Sequence, residues 1–378
     1  MMMLEHEGKR LLAGVGVPVP QGTVIEASAA PDTAGAGISA FPVAVKAQVR
    51  SGGRGKQGGV RQVRTAGELA DTVRNLLQTS FGGETPDAVL IEPWLSIERE
   101  CYLCVAVDGR AGGYVVMYAP RGGVDIEEGP PPARYPVGAP WNFRAHELRK
   151  ILKDVEPDYQ WREKVIALAQ RLVRVASMHD CSTIEINPLA KLADGSLIAA
   201  DAKVVRDEWA HFRNQEIHAL READKGRVGK MLRDCLDMGH MYVRLDGDIG
   251  LMSGGAGMTM AAMDMIAEQG GRPACFLDVS PGPTSAHGYR PALAMLDADP
   301  QVTVILFSVF GGGTQMQRVA NSVKELMAGR NSSKPVVFRL DGTNVDQVPG
   351  IFAQFGAHNH ARLEDAVSEA VRLAGNPA

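Results

Sequence analysis

A lysine on a predicted strand and the glycine-rich basic loop that follows it are the first features of the chain that could do chemistry. Lys46 lies in the β-rich run 41–49, and the loop 51–59 contains five glycines together with Arg54 and Lys56. Glycines let backbone N–H groups come close to phosphate oxygens, and cationic side chains neutralise phosphate charge. The loop matches neither the P-loop pattern nor the dinucleotide-binding glycine pattern. It predicts a polyanion site, and a surface loop without a ligand is the alternative.

Acidic and amide side chains alternate on a later predicted strand and face a second strand across a tight turn. Asn187 ends the first strand, Asp201 ends the second, and the turn at 193–195 joins them. Glu185 lies two residues before Asn187 and therefore points to the same face. A carboxylate and an amide oxygen are ligands that suit Mg²⁺, and polar side chains in an apolar strand are costly unless they meet a cation. The pattern predicts a magnesium site at Asn187 and Asp201, with a half-exposed strand as the alternative.

Three glycine turns follow predicted strands near the end of the chain, and each turn opens a helix. They lie at 253–257, 280–283 and 310–313. Ligands of open α/β sheets bind at the carboxyl ends of the strands, and helix N-termini favour anions. Three such turns on one sheet edge predict a phosphate or carboxylate site there.

Cysteine and histidine patterns favour structural interpretations. Cys101 and Cys104 have the spacing of a redox or zinc motif, but they lie in an alternating, strand-like run without a second pair. We interpret them as two strand residues. His287 lies beside the 280–283 turn and is interpreted as a surface or interface histidine. His358 and His360 have no third ligand in the sequence that would complete a metal site.

The elements that must position these residues fall into three blocks. The first, to about residue 110, contains the strand 41–49, an amphipathic helix at 66–79 and a buried strand at 88–92. The second, to about residue 235, contains the hairpin that carries Asn187 and Asp201. The third alternates strands with helical patterns, which predicts a doubly wound parallel sheet. Its predicted strands are 249–253, 274–279, 302–309 and 335–340.

Length and composition bound the class of protein. The 378 residues suggest two or three domains, and 45% hydrophobic with 22% charged residues is an ordinary composition for a folded chain. The net charge of −4 offers no electrostatic case for nucleic acid. No apolar run approaches the ~20 residues of a membrane span. Five scattered cysteines fit a reducing compartment. A cytoplasmic protein without a nucleic-acid or membrane partner is predicted.

Taken together, the motifs resemble those of one enzyme family. The chain resembles the β subunits of succinyl-CoA synthetase and malate–CoA ligase over nearly its whole length. The resemblance implies an α/β protein: an ATP-grasp fold of two subdomains at 1–238, followed by a flavodoxin-like, doubly wound CoA-ligase domain at 239–378. The matching stretches, in order, are Glu5-His-Glu-Gly-Lys-Arg-Leu-Leu12, Val45-Lys-Ala-Gln-Val49, Gly52-Gly-Arg-Gly-Lys56, Arg121-Gly-Gly-Val-Asp-Ile-Glu127, Ile184-Glu-Ile-Asn-Pro-Leu189, Asp201-Ala-Lys203, Leu245-Asp-Gly-Asp-Ile-Gly250, Met263-Asp-Met-Ile266 and Phe276-Leu-Asp-Val279.

The resemblance also implies site residues, carried over position by position. Asn187 and Asp201 would bind Mg²⁺, and Glu185 matches a catalytic position where the family's phosphohistidine meets the nucleotide. Pro20 matches the residue of relatives that prefer ATP to GTP. Glu92 would contact the adenine end of ATP. The ATP-binding set is Lys46, Gly53, Arg54, Gly55, Glu92, Leu95 and Glu100, and the positions shared with a partner's acyl site are Gly254, Gly312, Gly313 and Thr314.

The implied activity is that of an ADP-forming acid–CoA ligase that uses ATP and Mg²⁺. In this family the γ-phosphoryl group passes to a histidine of a separate α subunit and then to the carboxylate, which gives an acyl phosphate that CoA attacks. The α subunit binds most of the CoA, so the implied assembly is a heterodimer or heterotetramer. Small carboxylic acids are the implied substrates.

The chain departs from the family pattern at the positions that face the acyl substrate. A glycine-rich G-G-G-A turn is replaced by Ser-Pro-Gly-Pro-Thr at 280–284, and N-G-A-G is replaced by Gly-Gly-Ala-Gly at 254–257. The family's F-G-G-I turn with its basic residue is replaced at 310–317. These changes predict a carboxylate other than succinate, either malate or another di- or tricarboxylate. Two alternatives are a regulatory nucleotide-binding subunit without ligase activity and an ATP-grasp ligase with a non-CoA acceptor.

Overall fold

The computed structural model describes residues 1–28, 38, 40–50, 52–123, 129–227, 229–279 and 285–375. The chain forms two compact units, Met1–Arg221 and Glu222–Ala378. The predicted domain boundary between residues 238 and 239 stays a prediction.

The first unit opens with a helix and a small antiparallel sheet. Its elements are α1 (Glu5–Gly14), β1 (Thr23–Glu26), β2 (Val43–Gln48), β3 (Val60–Val63), α2 (Ala66–Gln78) and β4 (Ala88–Pro93). The strands pair in the order β1-β4-β2-β3, and every pair is antiparallel. α2 buries Leu69, Val73 and Leu76 against the sheet, because these positions recur at the helical period. The predicted strands and helix of the first block are confirmed.

A larger antiparallel sheet makes up the rest of the first unit. Its elements, with the helices that follow or cover it, are β5 (Ile97–Asp108), β6 (Gly113–Ala119), β7 (Ala133–Gly138), α3 (Ala145–Leu152), α4 (Tyr159–Met178), β8 (Cys181–Leu192), β9 (Leu197–Ala199) and β10 (Lys203–Arg206). The helix α5 (Gln215–Arg227) follows β10 and contains the boundary between the two units at Arg221. The strand order is β10-β8-β5-β6-β7, with β9 paired to β8. Asp158 caps the N-terminus of α4 by accepting a hydrogen bond from the Trp161 N–H, and α4 packs its apolar face on the sheet. β8 and β9 form the predicted hairpin, in which Leu189 pairs with Ala199.

The second unit is a five-stranded sheet with helices on both faces. Its strands are β11 (Met241–Arg244), β12 (Ile249–Gly254), β13 (Cys275–Asp278), β14 (Val304–Gly311) and β15 (Val336–Gly342). Its helices are α6 (Lys230–Asp237), α7 (Ala256–Glu268), α8 (Ala286–Ala298), α9 (Met316–Ala328), α10 (Val348–Phe352) and α11 (Leu363–Leu373). The order is β11-β13-β12-β14-β15, and the four predicted strands are parallel.

Two apolar clusters confirm the doubly wound arrangement of the second unit. One cluster joins the sheet to α8 and α9, and the other joins its opposite face to α7 and α11. The antiparallel edge strand β11 was not predicted. Its side chains are mostly exposed, so it lacks the continuous apolar run by which the buried parallel strands reveal themselves in the sequence.

The cysteines, the candidate metal ligands and the helices of the chain were each the subject of a prediction. Cys101 and Cys104 lie buried in β5 with free thiols, which confirms their interpretation as strand residues. Among the described residues no group of three or more His, Cys, Asp and Glu side chains could hold a metal ion. Within the same residues no helix combines the length and the apolar character that a membrane crossing requires. The turn 280–284, with Ser280 and Thr284, lies outside the described residues, as does 124–128.

Candidate active site

The first unit contains a cavity of about 690 Å³ that both of its sheets help to line. This volume falls within the ~300–1,000 Å³ range of small-molecule sites. Every residue predicted for the nucleotide, for the metal and for catalysis lies in its wall. They are Lys46, Gly53, Arg54, Gly55, Glu92, Leu95, Glu100, Glu185, Asn187 and Asp201.

Lys46 reaches the cavity from β2, a strand that is buried along its whole length. Its Nζ lies 2.9 Å from Glu5 Oε1 and 2.9 Å from Glu92 Oε2. The same ammonium donates a hydrogen bond of 2.8 Å to the Ala200 carbonyl oxygen. Lys46 is therefore held between β4, the helix α1 and the segment that follows β9.

Arg54 comes from the glycine-rich loop and joins the same charge cluster. Its guanidinium donates to the Ala47 carbonyl at 2.7 Å and forms an ion pair with Glu5. A longer contact of 3.4 Å connects it to Asp201 Oδ2. The loop thus places its cation in the wall of the cavity, as the polyanion prediction requires.

Glu5 and Lys9 belong to this cluster but were not predicted as site residues. They lie one turn apart on α1, and Lys9 Nζ is 2.8 Å from Glu5 Oε1. Lys9 also lies 2.6 and 2.7 Å from the two Glu92 oxygens. Their spacing on one helix face was the available sequence signal, but an i,i+4 pair is ordinarily a surface feature.

The cluster sets the protonation state of its members. Burial raises the pKa of Glu5, but the charges of Lys46, Arg54 and Lys9 together lower it by more than burial raises it. The pKa of Glu5 therefore lies well below its ordinary value. Burial likewise lowers the pKa of Lys46, and the carboxylates of Glu5 and Glu92 raise it above its ordinary value. Both groups are therefore charged at neutral pH. A cavity walled by fixed charges can bind a highly charged ligand without being reorganised.

The resemblance places Glu92 at the adenine end of ATP, and in the structure Glu92 lies in the wall of the cavity. Its carboxylate is buried and bonded to Lys9 and Lys46, so it lies among the cations. Leu95 and Trp94 follow it at the cavity wall, and 44% of the Trp94 surface is exposed. The contact of Glu92 with adenine stays a prediction.

Asn187 lies within β8 and Asp201 lies two residues beyond the end of β9, not at the strand ends as predicted, and both line the cavity. The β8–β9 register continues past Ala199, because the Ala200 N–H bonds to the Pro188 carbonyl at 3.1 Å. Asn187 Oδ1 accepts a hydrogen bond of 2.6 Å from the Gly123 N–H, and its Nδ2 donates to the Gly123 carbonyl at 3.2 Å. This pair of bonds holds the amide in one orientation.

The oxygen donors of this pair fit a hard divalent cation. Asp201 Oδ1 accepts from the Ala202 N–H at 2.7 Å, and 37% of the side-chain surface stays exposed. Despite that exposure, desolvation by the surrounding protein and the nearby Glu5 carboxylate raise the pKa of Asp201. A bound cation would favour the ionised form. One carboxylate and one amide oxygen, completed by water and phosphate oxygens, is a set that Mg²⁺ uses.

Glu185 and Glu100 line the same cavity from β8 and β5. Glu185 pairs in register with Cys104 on one side and with Lys203 on the other. Gly123 approaches Glu100 so closely that a Cβ at this glycine would lie 2.6 Å from Glu100 Oε2. The glycine is favoured here by its φ of +96°, since the Glu100 carboxylate is the end of a flexible side chain and could shift to make room for a Cβ.

The remaining predicted positions lie in the second unit, at the carboxyl ends of its parallel strands. Gly254 ends β12 beside Val309 of β14, and Gly255 (φ +98°) donates its N–H to Asp278 at 2.8 Å just before α7 begins. Gly312, Gly313 and Thr314 lie between β14 and α9. His287 is exposed on the first turn of α8, which agrees with a surface histidine.

Comparison with known proteins gives a consistent picture. A family model of the ATP-grasp domain matches residues 2–191, and a family model of CoA-ligase matches residues 252–374. The succinate–CoA ligase (ADP-forming) subunit beta of Ignicoccus hospitalis is 32% identical over 381 residues, with 99% of each chain covered. The subunit of the same name from Chloroflexus aurantiacus is 35% identical over 384 residues, again with 99% of each covered.

A solved structure shows the same fold. ATP citrate lyase from Methanothrix soehngenii, in complex with citrate and coenzyme A, superposes with a TM-score of 0.74 at 16% identity, covering 98% of this chain and 99% of that one. An ATP-grasp fold followed by a CoA-ligase domain is therefore confirmed.

Proposed function

The chain belongs to the family of β subunits of ADP-forming succinate–CoA ligases, and from that premise we propose that it is the nucleotide-binding subunit of a two-subunit carboxylate–CoA ligase. Enzymes of this family are acid–thiol ligases that use ATP and Mg²⁺. The proposed reaction converts ATP, a carboxylate and CoA into acyl-CoA, ADP and phosphate in the cytoplasm.

The observation that carries the proposal is the meeting of Lys46, Arg54, Asn187 and Asp201 in one cavity. Asn187 and Asp201 would hold Mg²⁺, which when bound neutralises phosphate charge. Lys46 and Arg54 would orient the phosphates, while the glycine loop lets backbone N–H groups approach them. Phosphoryl transfer asks mainly for positioning and charge neutralisation, and these residues are fixed before the ligand arrives. Glu185 would lie where the phosphoryl group leaves the nucleotide.

A separate α subunit completes the proposed enzyme. The sequence has no glycine-flanked histidine loop of the G-H-A-G type and no fingerprint for CoA. The phosphoryl-accepting histidine and most of the CoA site would come from that subunit. Gly254 and the residues Gly312 to Thr314 would present their backbone to it at the carboxyl edge of the second unit.

The carboxylate is proposed to differ from succinate. The positions for nucleotide and metal keep the family's residues, whereas the partner-facing turns at 254, 280–284 and 311–317 do not. Gly254 lacks the family's amide group and leaves more volume, and Thr314 adds a hydroxyl near the same edge. These changes suit a bulkier or more hydroxylated di- or tricarboxylate, malate included.

The test compares the purified chain with and without its cognate α subunit. ADP release and thioester formation are followed with ATP, Mg²⁺, CoA and a panel of mono-, di- and tricarboxylates. We expect no acyl-CoA from the lone chain and turnover after the α subunit is added.

Three results would contradict the proposal. Thioester formed by the lone chain would remove the need for a partner. Nucleotide binding without turnover in the complex would favour a regulatory subunit. Acyl transfer to an amine, with no requirement for CoA, would favour an ATP-grasp ligase with another acceptor.

A further inference from the structure

Lys9 and Lys46 share one set of acceptors, and only one of the two lysines faces the cavity. Both ammonium groups bond to Glu5 Oε1, to Glu92 and to the Ala200 carbonyl, at distances between 2.6 and 2.9 Å. Lys46 lies in the described cavity wall, whereas Lys9 does not. The Lys9 side chain is 4% exposed, against 10% for Lys46. Lys9 therefore contacts the two glutamates from behind, out of reach of a ligand.

The charges of the cluster balance only when Lys9 is counted. Its cations are Lys9, Lys46 and Arg54, and its carboxylates are Glu5, Glu92 and Asp201. Without Lys9, Lys46 and Arg54 would be the cations left to neutralise the buried carboxylates of Glu5 and Glu92. Leaving a buried carboxylate without a partner is strongly unfavourable. A polyphosphate would then compete with two glutamates for the same cations.

We infer that Lys9 is a positioning residue for nucleotide phosphates: it supplies the counter-charge of Glu5 and Glu92 from behind the cavity, so that Lys46 and Arg54 can face the ligand. The inference rests on the proposed function, because it takes the ligand to be ATP. Lys9 does not touch the nucleotide, and its effect reaches the phosphates only through the shared glutamates.

The helix that carries Lys9 also connects the two sheets of the first unit. Lys9 bonds to Glu92 on β4 of the small sheet and to the Ala200 carbonyl beside β9 of the large one. A purely structural role in holding these sheets together is therefore the competing explanation. The two roles differ in their effect on binding: loss of the positioning role weakens binding of the phosphates, whereas loss of a purely structural role weakens binding of the whole nucleotide.

The experiment measures binding of ATP, ADP and adenosine, with Mg²⁺, to wild-type chain and to Lys9→Met by calorimetry. The positioning role predicts that ATP and ADP bind at least ~10-fold more weakly to the variant, the lower end expected for an interaction with a charged group. Adenosine, which has no phosphate, should bind the variant and the wild type alike. Lys9→Arg keeps the charge and should retain most of the affinity for ATP.

A double variant keeps the test decisive if Lys9→Met folds poorly. Lys9→Met with Glu92→Gln removes one charge of each sign and leaves fewer carboxylates to hold Lys46. It should show an ATP-to-adenosine affinity ratio close to that of Lys9→Arg, a ratio that a contact of Glu92 with adenine would leave unchanged because both ligands contain adenine. Arg330→Met is the matched control, since the Arg330 side chain is 7% exposed and pairs with Asp297 at 2.6 Å in the second unit. It should lower thermal stability without changing nucleotide affinity.

The contrary results are distinct. If Lys9→Met weakens adenosine as much as ATP, the residue only supports the fold and the inference is wrong. If its ATP affinity is unchanged, the inference is also wrong. A wild-type chain that binds no ATP at all would instead reject the proposed function.

Discussion

The cavity of the first unit has charged side chains from several elements in its wall, whereas the described turns at the carboxyl edge of the second unit are rich in glycine. In the cavity, α1, β2, β4, the glycine loop and the segment after β9 each contribute a charged group or a carbonyl. At the edge, Gly254 and Gly255 lead into α7, and Gly312 to Thr314 lead into α9. The cavity therefore offers a ligand charged side chains, whereas the edge offers it backbone N–H groups at helix N-termini.

The two regions differ in whether they are built from distant or from neighbouring residues of the chain. Lys9 and the Ala200 carbonyl are 191 residues apart in the chain, yet they are hydrogen-bonded. The glycine edge is built from short strand-turn-helix segments, each of which can be recognised alone. Changes in the cavity should therefore affect nucleotide binding, and changes at the edge should affect the choice of acid.

The largest effect is expected at the metal-binding pair. Asp201→Ala and Asn187→Ala would each remove a proposed oxygen ligand of Mg²⁺, so ADP release by the complex should fall below detection. Circular dichroism should show an intact fold. Unchanged calorimetric binding of ATP with Mg²⁺ in both variants would mean that the metal site lies elsewhere.

A smaller loss is expected at Lys46, the proposed phosphate-binding lysine. Lys46→Ala should weaken ATP binding by about 1.5–3 kcal/mol, the contribution of a hydrogen bond to a charged group. The selectivity among acids should not change, because the variant leaves the edge of the second unit intact. An altered ranking of acids would contradict the proposal that the cavity binds the nucleotide and the edge of the second unit selects the acid. GTP binding the wild type better than ATP would contradict the preference suggested by Pro20.

The carboxyl edge of the second unit should determine which carboxylic acid is preferred as substrate. With the α subunit present, succinate should have a kcat/KM at least ~10-fold below that of the preferred acid, or about 1.4 kcal/mol. A site built for a hydrogen-bonding substrate rejects an analogue that lacks the polar group. The measurement is ADP release over a panel of carboxylates and their hydroxylated forms. If succinate is the best substrate, the chain is an ordinary succinate–CoA ligase subunit.

The smallest effect should come from restoring the family's amide. Gly254→Asn should shift the kcat/KM ratio toward succinate by roughly 2- to 10-fold, the range of one neutral hydrogen bond of ~0.5–1.5 kcal/mol. A Cβ at this position would lie 3.3 Å from Val309 Cγ1, so a small adjustment of Val309 is required. Gly254→Ala serves as the control for that adjustment, because it adds the Cβ without the amide. Equal ratios in the two variants would show that the amide is not what matters.

The sequence by itself determined several of the strands and helices of both units and, through its family resemblance, ten residues that line the cavity. Strand and helix periods and the glycine turns are local properties, because each depends on residues within one element or one turn. The hairpin of β8 and β9 could be predicted for the same reason, since register follows from the turn. The edge strand β11 escaped prediction because its exposed side chains carry no apolar pattern.

Only the tertiary structure decided which charges are partners. The family resemblance assigned Glu92 to the nucleotide, and no sequence pattern assigned Lys9 or showed that Glu92 pairs with both Lys9 and Lys46. A buried charge is stabilised by whichever opposite charge lies within a few ångströms, and that distance depends on how α1, β2 and β4 pack together. No local pattern contains that information, because the residues concerned are separated along the chain and meet only when the elements pack.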